Sequence, residues 1–280
     1  MSRLFPDTGT GNDDGGAPLS ASGGPERLTG TEMRVTQEAT PVEVLSRRDR
    51  MRAATTEEIK QTARRILVGQ GPEAVSLRAI AREMGMTAPA LYRYFTSRED
   101  LIRNVVGDIF NELSSDIGVA IREASQSSED ITAKLIAACR EFRRWSFGHQ
   151  GEFALIFGSP LPGVDDGRGD FADECGRRFA GVFFALFYEL WRRSPFPVRA
   201  PDEIDPGLRA QLERFRTVIG ADLPLGAMLT FLRCWTKLYG AVSMEVFGHI
   251  GFALDDAAPM FEITLSELAG DVGLAYVPGS

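Results

Sequence analysis

The chain has 280 residues, 44% of them hydrophobic, which is enough for one or two domains with sizeable cores. No apolar run approaches the roughly 20 residues of a membrane span. Residues 1–30 also lack the apolar centre of a signal peptide, so a cytoplasmic protein is expected. Three widely spaced cysteines and two histidines predict neither a disulfide framework nor a histidine-rich metal site.

The net charge of −8 is unevenly distributed along the chain. Residues 46–105 hold 12 basic and 7 acidic side chains, whereas residues 1–45 hold 3 and 7, and residues 106–280 hold 16 and 25. A basic segment between two acidic ones is typical of a compact DNA-reading module attached to a larger body. A chance cluster of solvated charges is the alternative.

Residues 1–45 are rich in Gly, Ser, Thr, Pro and Asp and predict a disordered tail, because they cannot bury enough apolar surface to fold. A start codon assigned too early would give the same composition. Arg47, Arg48, Arg50 and Arg52 follow, just before the first predicted helix. They are expected either to contact a minor groove or the DNA backbone, or to form a solvated linker.

Four helices are predicted next, from their apolar spacing and their capping residues. The first helix is predicted from Thr55 or Thr56 to Gly69–Pro72, and the second from its capping residue Ser76 to Gly85. The third is predicted to begin at its capping residue Thr87, with Pro89 in its first turn, and the fourth runs from Arg98 to about Ala124. Three short helices with a tight turn before the third are typical of a helix-turn-helix module.

The third helix has the chemistry of a recognition helix. Ala88, Pro89 and Ala90 keep its tip low enough to approach base edges and contact thymine methyl groups. Tyr92 and Tyr94 can lie along the surface and direct their hydroxyls at phosphates. Burial of the aromatic side chains in the core is the alternative, and it is the expected arrangement for Leu91 and Phe95.

The run "SLRAIAREMGMTAPALYRYFTSREDLI", Ser76 to Ile102, resembles the TetR family of bacterial repressors, and the match extends over about Ala54 to Val106. The resemblance implies an all-α homodimer. Each subunit would have a three-helix helix-turn-helix DNA-binding domain joined by a long helix to a helical bundle that binds a ligand and dimerises. The expected domains are residues 46–105 and 106–275, after the tail of residues 1–45.

The resemblance also implies roles for individual residues. The expected base readers are Arg78, Ala88, Pro89, Ala90 and Arg93. The expected phosphate binders are Ser76, Thr87, Tyr92, Tyr94 and Arg98. The family often has histidine where this chain has Tyr94, and lysine where it has Arg98, but both replacements keep a phosphate donor.

Residues 131–148, 171–193, 225–248 and 258–272 predict further helices, and residues 158–170 and 192–207 predict surface loops. Many of the 18 phenylalanines lie in residues 142–187 and favour either ordinary core packing or a pocket for an apolar or aromatic ligand. The candidate pocket residues are Cys139, Arg143, Trp145, His149, Phe153, Phe157, Phe183, Phe187, Tyr188 and Trp235.

A second resemblance covers Phe142 to Gly163 and Trp235 to His249, which are similar to a C-terminal subclass of the family named for a Trp-His-Gly signature. Tyr239 stands where that histidine is expected, so the signature is incomplete in this chain. In the acidic loop that follows Gly158, Asp165, Asp166 and Asp170 lack the spacing of a calcium site.

The last two predicted helices, residues 225–248 and 258–272, are expected to form a homodimer as a four-helix bundle. Gly240 and Gly248 would allow the close approach of another helix. The apolar stripes assigned to this interface are Leu225, Leu229, Leu232, Thr236, Tyr239, Ser243 and Val246 in the first helix, and Phe261, Leu265, Leu268 and Val272 in the second. Intrachain packing of one stripe is the alternative.

The sequence therefore predicts a dimeric regulator that binds a near-palindromic double-stranded operator and is released by a small apolar or aromatic effector. Repression is expected from the family resemblance alone. The alternative is a helical ligand-binding or protein-interaction module that does not bind an operator. An enzyme is not expected, because phosphate-binding glycine loops, HExxH motifs and paired cysteines are missing. No cofactor is expected.

Overall fold

A computed structural model of the chain describes residues 46–127, 130–158 and 171–276. The described residues form helices and connecting turns, without strands. The helices are α1 (Arg47–Gln70), α2 (Leu77–Glu83), α3 (Ala88–Leu91), α4 (Arg98–Ser127), α5 (Ile131–Gly148), α6 (Gln150–Phe157), α7 (Phe171–Arg193), α8 (Pro206–Ile219), α9 (Leu225–Val246) and α10 (Ala258–Asp271). The predicted tail and acidic loop lie outside the described residues. None of the described helices has both the length and the apolarity needed to cross a bilayer.

The chain divides into two compact units between Thr55 and Thr56. In the first unit, residues 46–55 are described and belong to the start of α1.

Helix α1 begins earlier than predicted. The hydroxyl of Ser46 accepts a hydrogen bond from the backbone N–H of Asp49, at 3.2 Å, as an N-cap residue does. Thr55 lies inside the helix, where its hydroxyl donates to the carbonyl of Met51 at 3.0 Å, so the predicted start at Thr55 or Thr56 is wrong. Arginine is a good helix former, and the arginine cluster accordingly forms the first turns of α1 instead of a linker before it.

Of the capping residues expected in the helix-turn-helix, Ser76 caps its helix through its side chain and Thr87 does not. Ser76 accepts a hydrogen bond from the N–H of Ala79 at 3.0 Å and caps α2. Gly85 follows α2 with φ of 65°, a conformation that favours glycine and turns the chain toward α3. Thr87 is the N-cap residue of α3 by its extended backbone, but its side chain makes no capping hydrogen bond.

The larger helical body surrounds α4, which is 30 residues long. Helices α5 and α7 have the predicted bounds, and α9 and α10 end within two residues of prediction. Helices α6 and α8 were not predicted as separate helices. The sequence signals for α8 were nevertheless present, because Asp205 caps it before Pro206 and Gly220 ends it with φ of 63°.

A single apolar cluster connects the helix-turn-helix with the body. Ile59 of α1, Ile80 of α2 and Leu91 of α3 are fully buried in the same cluster as Ile109 of α4 and Phe142 of α5. Helix α4 contributes buried side chains along most of its length, since Leu101 and Ile117 are both inaccessible to solvent. The residues expected to contact DNA are thus supported by a core that continues into the body.

Candidate DNA interface and ligand-binding body

The tip of α3 and the start of α2 present exposed side chains. Pro89 is exposed, and Tyr92 keeps 52% of its surface accessible. The exposed side chains among the expected DNA-contacting residues are Ser76, Arg78, Thr87, Pro89, Tyr92 and Arg93. They combine one guanidinium on α2 and one in the turn after α3 with hydroxyl groups and a low apolar tip, which is a chemistry suited to a DNA groove.

The remaining residues of the tip are anchored to the protein. Ala88 and Ala90 are half-buried, and Tyr94 is half-buried against the core. Leu91 and Phe95 are 0% and 3% exposed, which agrees with the expectation that both face the interior. The arrangement holds α3 against the core through one face and leaves the opposite face open.

Arg98 is engaged within the protein. Its Nε donates to the carbonyl of Val75 at 3.0 Å, one terminal nitrogen donates to the carbonyl of Pro72 at 2.6 Å, and the other lies 3.3 Å from a carboxylate oxygen of Glu99. These bonds tie the first turn of α4 to the segment before α2. The guanidinium keeps two of its five N–H groups for other partners, and the phosphate contact of Arg98 stays a prediction.

The body contains an apolar cavity of about 70 Å³ between α5, α7, α9 and α10. Four of the predicted pocket residues line it, namely Cys139, Phe183, Phe187 and Trp235. The other lining side chains, mostly aliphatic, were not assigned to the pocket from sequence, because a cavity-lining leucine has the same helical spacing as a core leucine. Leu238 is one example, and Leu265, which was assigned to the dimer stripe, is another.

Arg143, Trp145 and His149 lie outside the cavity. The guanidinium of Arg143 pairs with Glu245 of α9, with its Nε 2.8 Å from one carboxylate oxygen, and lies over the ring of Phe261. His149 joins α5 to α6, with its ring stacked on Trp145 and its Nδ1 3.0 Å from the carbonyl oxygen of Trp145. These groups hold helices together and do not line the cavity.

Phe153, Phe157 and Tyr188 also lie outside the cavity. Phe153 is fully buried and packs against Phe157, with ring centroids 4.9 Å apart. Tyr188 stacks on Phe184. The hydroxyl of Tyr239, which occupies the expected histidine position, donates to the carbonyl of Phe157 at 2.8 Å and so binds α9 to the end of α6.

Ionic groups connect the helix-turn-helix to the body. Arg64 of α1 donates to Glu112 of α4 at 2.6 Å and to Glu152 of α6 at 3.0 Å. Lys60 lies 2.5 Å from Asp108, one turn earlier on α4. The hydrogen bond from Arg64 is the largest influence on the pKa of Glu112 and lowers it. Sequence reasoning missed this junction, because its members are 48 and 88 residues apart.

The apolar stripe assigned to α10 is wrong as an intersubunit surface. Phe261, Leu265, Leu268 and Val272 are all at most 9% exposed because they pack within the chain, which was the alternative arrangement. Gly248 lies beyond the end of α9 and turns the chain with φ of 71°, so it is not a helix contact.

A different face of the two helices is open. Met244 and Phe247 of the α9 end, and Met260 and Ile263 of α10, are between 37% and 55% exposed. A Cβ atom added to Gly240 would meet no atom of the described residues within 4 Å. Across the described ranges, no group of three or more His, Cys, Asp or Glu side chains is arranged to hold a metal ion.

Comparisons with known proteins identify the family. The model of bacterial regulatory proteins of the tetR family matches residues 51–105, and the tetracyclin repressor-like C-terminal domain matches residues 135–268. The HTH-type transcriptional regulator Rv1816 of Mycobacterium tuberculosis is 31% identical over 197 residues, which cover 69% of this chain and 81% of that protein.

Two solved structures show the same fold. The regulatory protein SCO4313 is 29% identical, with a TM-score of 0.62 over 80% of this chain and 100% of that chain. The fatty acid degradation regulator FadR of Bacillus halodurans has 13% identity and a TM-score of 0.52 over 76% of this chain and 94% of that chain, which is a likeness of fold alone. The chain therefore belongs to the TetR family of transcriptional regulators, which are DNA-binding proteins and not enzymes.

Proposed function

We propose that the protein is a homodimeric repressor that binds a near-palindromic operator and is released from it by a small apolar or aromatic molecule. A regulator of this kind acts on chromosomal DNA in the cytoplasm. The observation that carries the proposal is the exposed face formed by Arg78, Pro89, Tyr92 and Arg93 on a buried support.

The DNA contacts divide by chemistry. Arg78 reads base edges, because an exposed guanidinium on α2 beside the tip of α3 can donate to guanine in the major groove. Pro89 and its neighbouring alanines contact the groove floor through methyl and methylene groups. The hydroxyls of Ser76, Thr87 and Tyr92 donate to phosphates and fix the orientation of α3 on the duplex. The hydroxyl of Tyr94, whose side chain is half-buried, also donates to a phosphate.

The homodimer forms through the exposed stripes of α9 and α10. The exposed apolar side chains Met244, Phe247, Met260 and Ile263 gain burial when a second copy covers them. Gly240 and Gly270 have open space around their Cα atoms, which lets helices of the partner approach closely. A two-fold axis here gives a four-helix interface and places two recognition helices on half-sites about 34–36 Å apart.

Release follows from differential affinity of the effector for two arrangements of the dimer. A ligand shifts an equilibrium between states only to the extent that it binds them unequally. Helix α4 transmits the shift, because it packs on the body along its length and carries Glu112 and Asp108 of the ionic junction with α1. The cavity between α5, α7, α9 and α10 is the effector site that the described residues offer.

The test measures the affinity of the purified protein for the DNA upstream of its own gene. The measurement is an electrophoretic mobility shift at several salt concentrations. We expect affinity to fall steeply with salt, since phosphate contacts release counterions, and the complex to contain two protein chains per operator. Arg78→Ala should narrow the affinity difference between the operator and scrambled DNA by about 1–3 kcal/mol. Tyr92→Phe should weaken binding to both DNAs equally.

Two results would contradict the proposal. DNA binding that does not depend on salt would rule out the proposed phosphate contacts. An unchanged preference of Arg78→Ala for the operator over scrambled DNA would rule out a base-reading role for Arg78. Absence of any complex with upstream DNA, combined with ligand binding by the body, would favour the alternative of a helical binding module that has no operator.

A further inference from the structure

Among the described residues, the walls of the body cavity carry no charged group. They are built from leucine, isoleucine, valine, alanine and phenylalanine side chains, and the heteroatom-bearing groups among them are Trp235 and the sulfurs of Cys139 and Cys234. Burial raises the pKa of the Cys139 thiol to about 12 and that of Cys234 to about 11, so both remain neutral at physiological pH. A charged ligand would find no counterion in this space.

The nearby polar side chains are already paired outside the cavity. Arg140 of α5 binds both carboxylate oxygens of Glu262, with distances of 3.1 and 2.7 Å. Lys237 lies 2.6 Å from Asp271. A ligand hydroxyl or carboxylate placed in the cavity would lose its hydration without gaining a strong hydrogen bond, and that loss is unfavourable.

The C-terminal segment, defined as residues 272–276, closes one side of the cavity. Val272 and Leu274 contribute wall surface, and the chain between them turns at Gly273 with φ of 71°. The N–H of Leu274 donates to the carbonyl of Ala269 at 2.8 Å. At the end of the segment, the hydroxyl of Tyr276 donates to Glu262 and lies 3.3 Å from Arg140.

This wall is the one that can yield to a ligand. An engineered cavity of about 150 Å³ takes up benzene, so the volume of about 70 Å³ is too small for a ring until a wall moves. The other walls belong to α5, α7, α9 and α10, which pack within the body. The described part of the C-terminal segment lies outside a helix, and it is held by the hydrogen bond from Leu274 to Ala269 and by the hydroxyl of Tyr276.

We propose that the cavity binds small neutral ligands of hydrocarbon character, with no charged or hydrogen-bonding group, and that it enlarges by displacement of the C-terminal segment. The inference rests on the proposed function, because it names the chemical class of the effector. It also narrows that class, since phenols, carboxylic acids and amines are disfavoured as ligands.

The experiment compares 4-fluorotoluene with 4-fluorophenol, two probes of nearly equal shape that differ in a methyl and a hydroxyl group. Binding to the full chain without DNA is followed by ¹⁹F NMR titration. We expect 4-fluorotoluene to bind at least about 10-fold more tightly, because the hydroxyl is desolvated without a strong partner. Equal affinities, tighter binding of the phenol, or no binding of either probe would overturn the proposal.

Filling variants locate the site. Ala269→Leu places a larger side chain into the cavity, and 4-fluorotoluene should then bind at least about 10-fold more weakly. Cys234→Met fills the same space from α9 with a flexible side chain and serves if the first variant does not fold. Undiminished binding in a folded filling variant would place the probe elsewhere and refute the site.

Tyr276→Phe tests the moving wall. Loss of the hydrogen bonds of the Tyr276 hydroxyl should raise the affinity for 4-fluorotoluene about 2- to 10-fold, whereas Tyr188→Phe removes a hydroxyl outside the cavity and should change nothing. Equal affinities of the two variants would refute displacement of the C-terminal segment. All these titrations omit DNA, so a failure of operator binding would contradict the proposed function and leave the test of the cavity intact.

Discussion

The close approach of α6 to α1 at Gly151 gives a quantitative prediction for Gly151→Ala. A Cβ atom added to Gly151 would lie less than 3.0 Å from Cγ1 of Val68 and 3.5 Å from its Cβ. Valine in a helix strongly prefers one χ1 rotamer, and departure from it costs about 0.5–1.5 kcal/mol. Separation of the two helices would cost about 1–3 kcal/mol, as overpacking does elsewhere.

A smaller effect opposes this cost. Alanine is favoured over glycine inside helices by about 0.5–1 kcal/mol, and less in the first turn, where Gly151 lies. The free energy of unfolding should therefore fall by about 1–2 kcal/mol in Gly151→Ala. Gly181→Ala is the matched control, since Gly181 is exposed in α7 with no atom within 4 Å of an added Cβ. It should be stabilising.

The assay is urea unfolding followed by circular dichroism at fixed protein concentration, because dimerisation would add to the apparent stability. Val68→Ala removes the atom that the new methyl group meets, so the double variant should lose the penalty. The expected coupling energy between the two substitutions is about 1–3 kcal/mol. A coupling energy below about 0.5 kcal/mol would refute the proposed contact between the new methyl group and Val68, since substitutions at independent sites deviate from additivity by no more than that.

Three further predictions concern the ionic junction, the start of α4 and the dimer. Glu112→Gln should reduce the loss of stability on acidification. The lowered pKa of Glu112 gives a stabilising contribution that is present above its usual value of 4.5 and lost as the pH falls through the folded-state value. Equal acid sensitivity of the variant and the parent protein in pH-dependent urea unfolding would contradict this prediction. Arg98→Met should lower the free energy of unfolding by about 1.5–3 kcal/mol with little change in the salt dependence of DNA binding, whereas unchanged stability with a smaller salt slope would restore the phosphate role. Ile263→Glu should shift light-scattering mass toward the monomer, whereas Val218→Glu, at a residue of matched exposure on α8, should not; dimers that persist in Ile263→Glu would exclude the α10 stripe.

The parts of the fold that local chemistry determines could be predicted from sequence. Ser76, Gly85 and Pro89 mark the helix-turn-helix through capping, a positive φ and a first-turn proline, and each signal lies within a few residues of its effect. The start of α1 was wrong because Thr55 resembles a cap, while Ser46 lies at the true start nine residues earlier.

The parts that depend on tertiary packing could not be predicted. The apolar spacing predicts that Leu265 packs against an apolar surface, but the same spacing is found in an intrachain core and in a subunit interface. In the structure Leu265 packs in the core. The pocket prediction included Arg143 and His149 because polar groups near aromatics suggest a binding site. Their partners, Glu245 and Glu112, are distant in sequence, so their structural roles were not visible.

The length of α4 has a mechanical consequence. A helix of 30 residues is about 45 Å long at about 1.5 Å per residue. A pivot of about 5° at the end that packs on α5 and α7 would then move the opposite end by about 4 Å, by simple trigonometry on that rise. In a symmetric dimer, one such displacement in each subunit would change the distance between the two recognition helices. They would then no longer match successive turns of the double helix, although no side chain at the DNA surface had changed its own geometry.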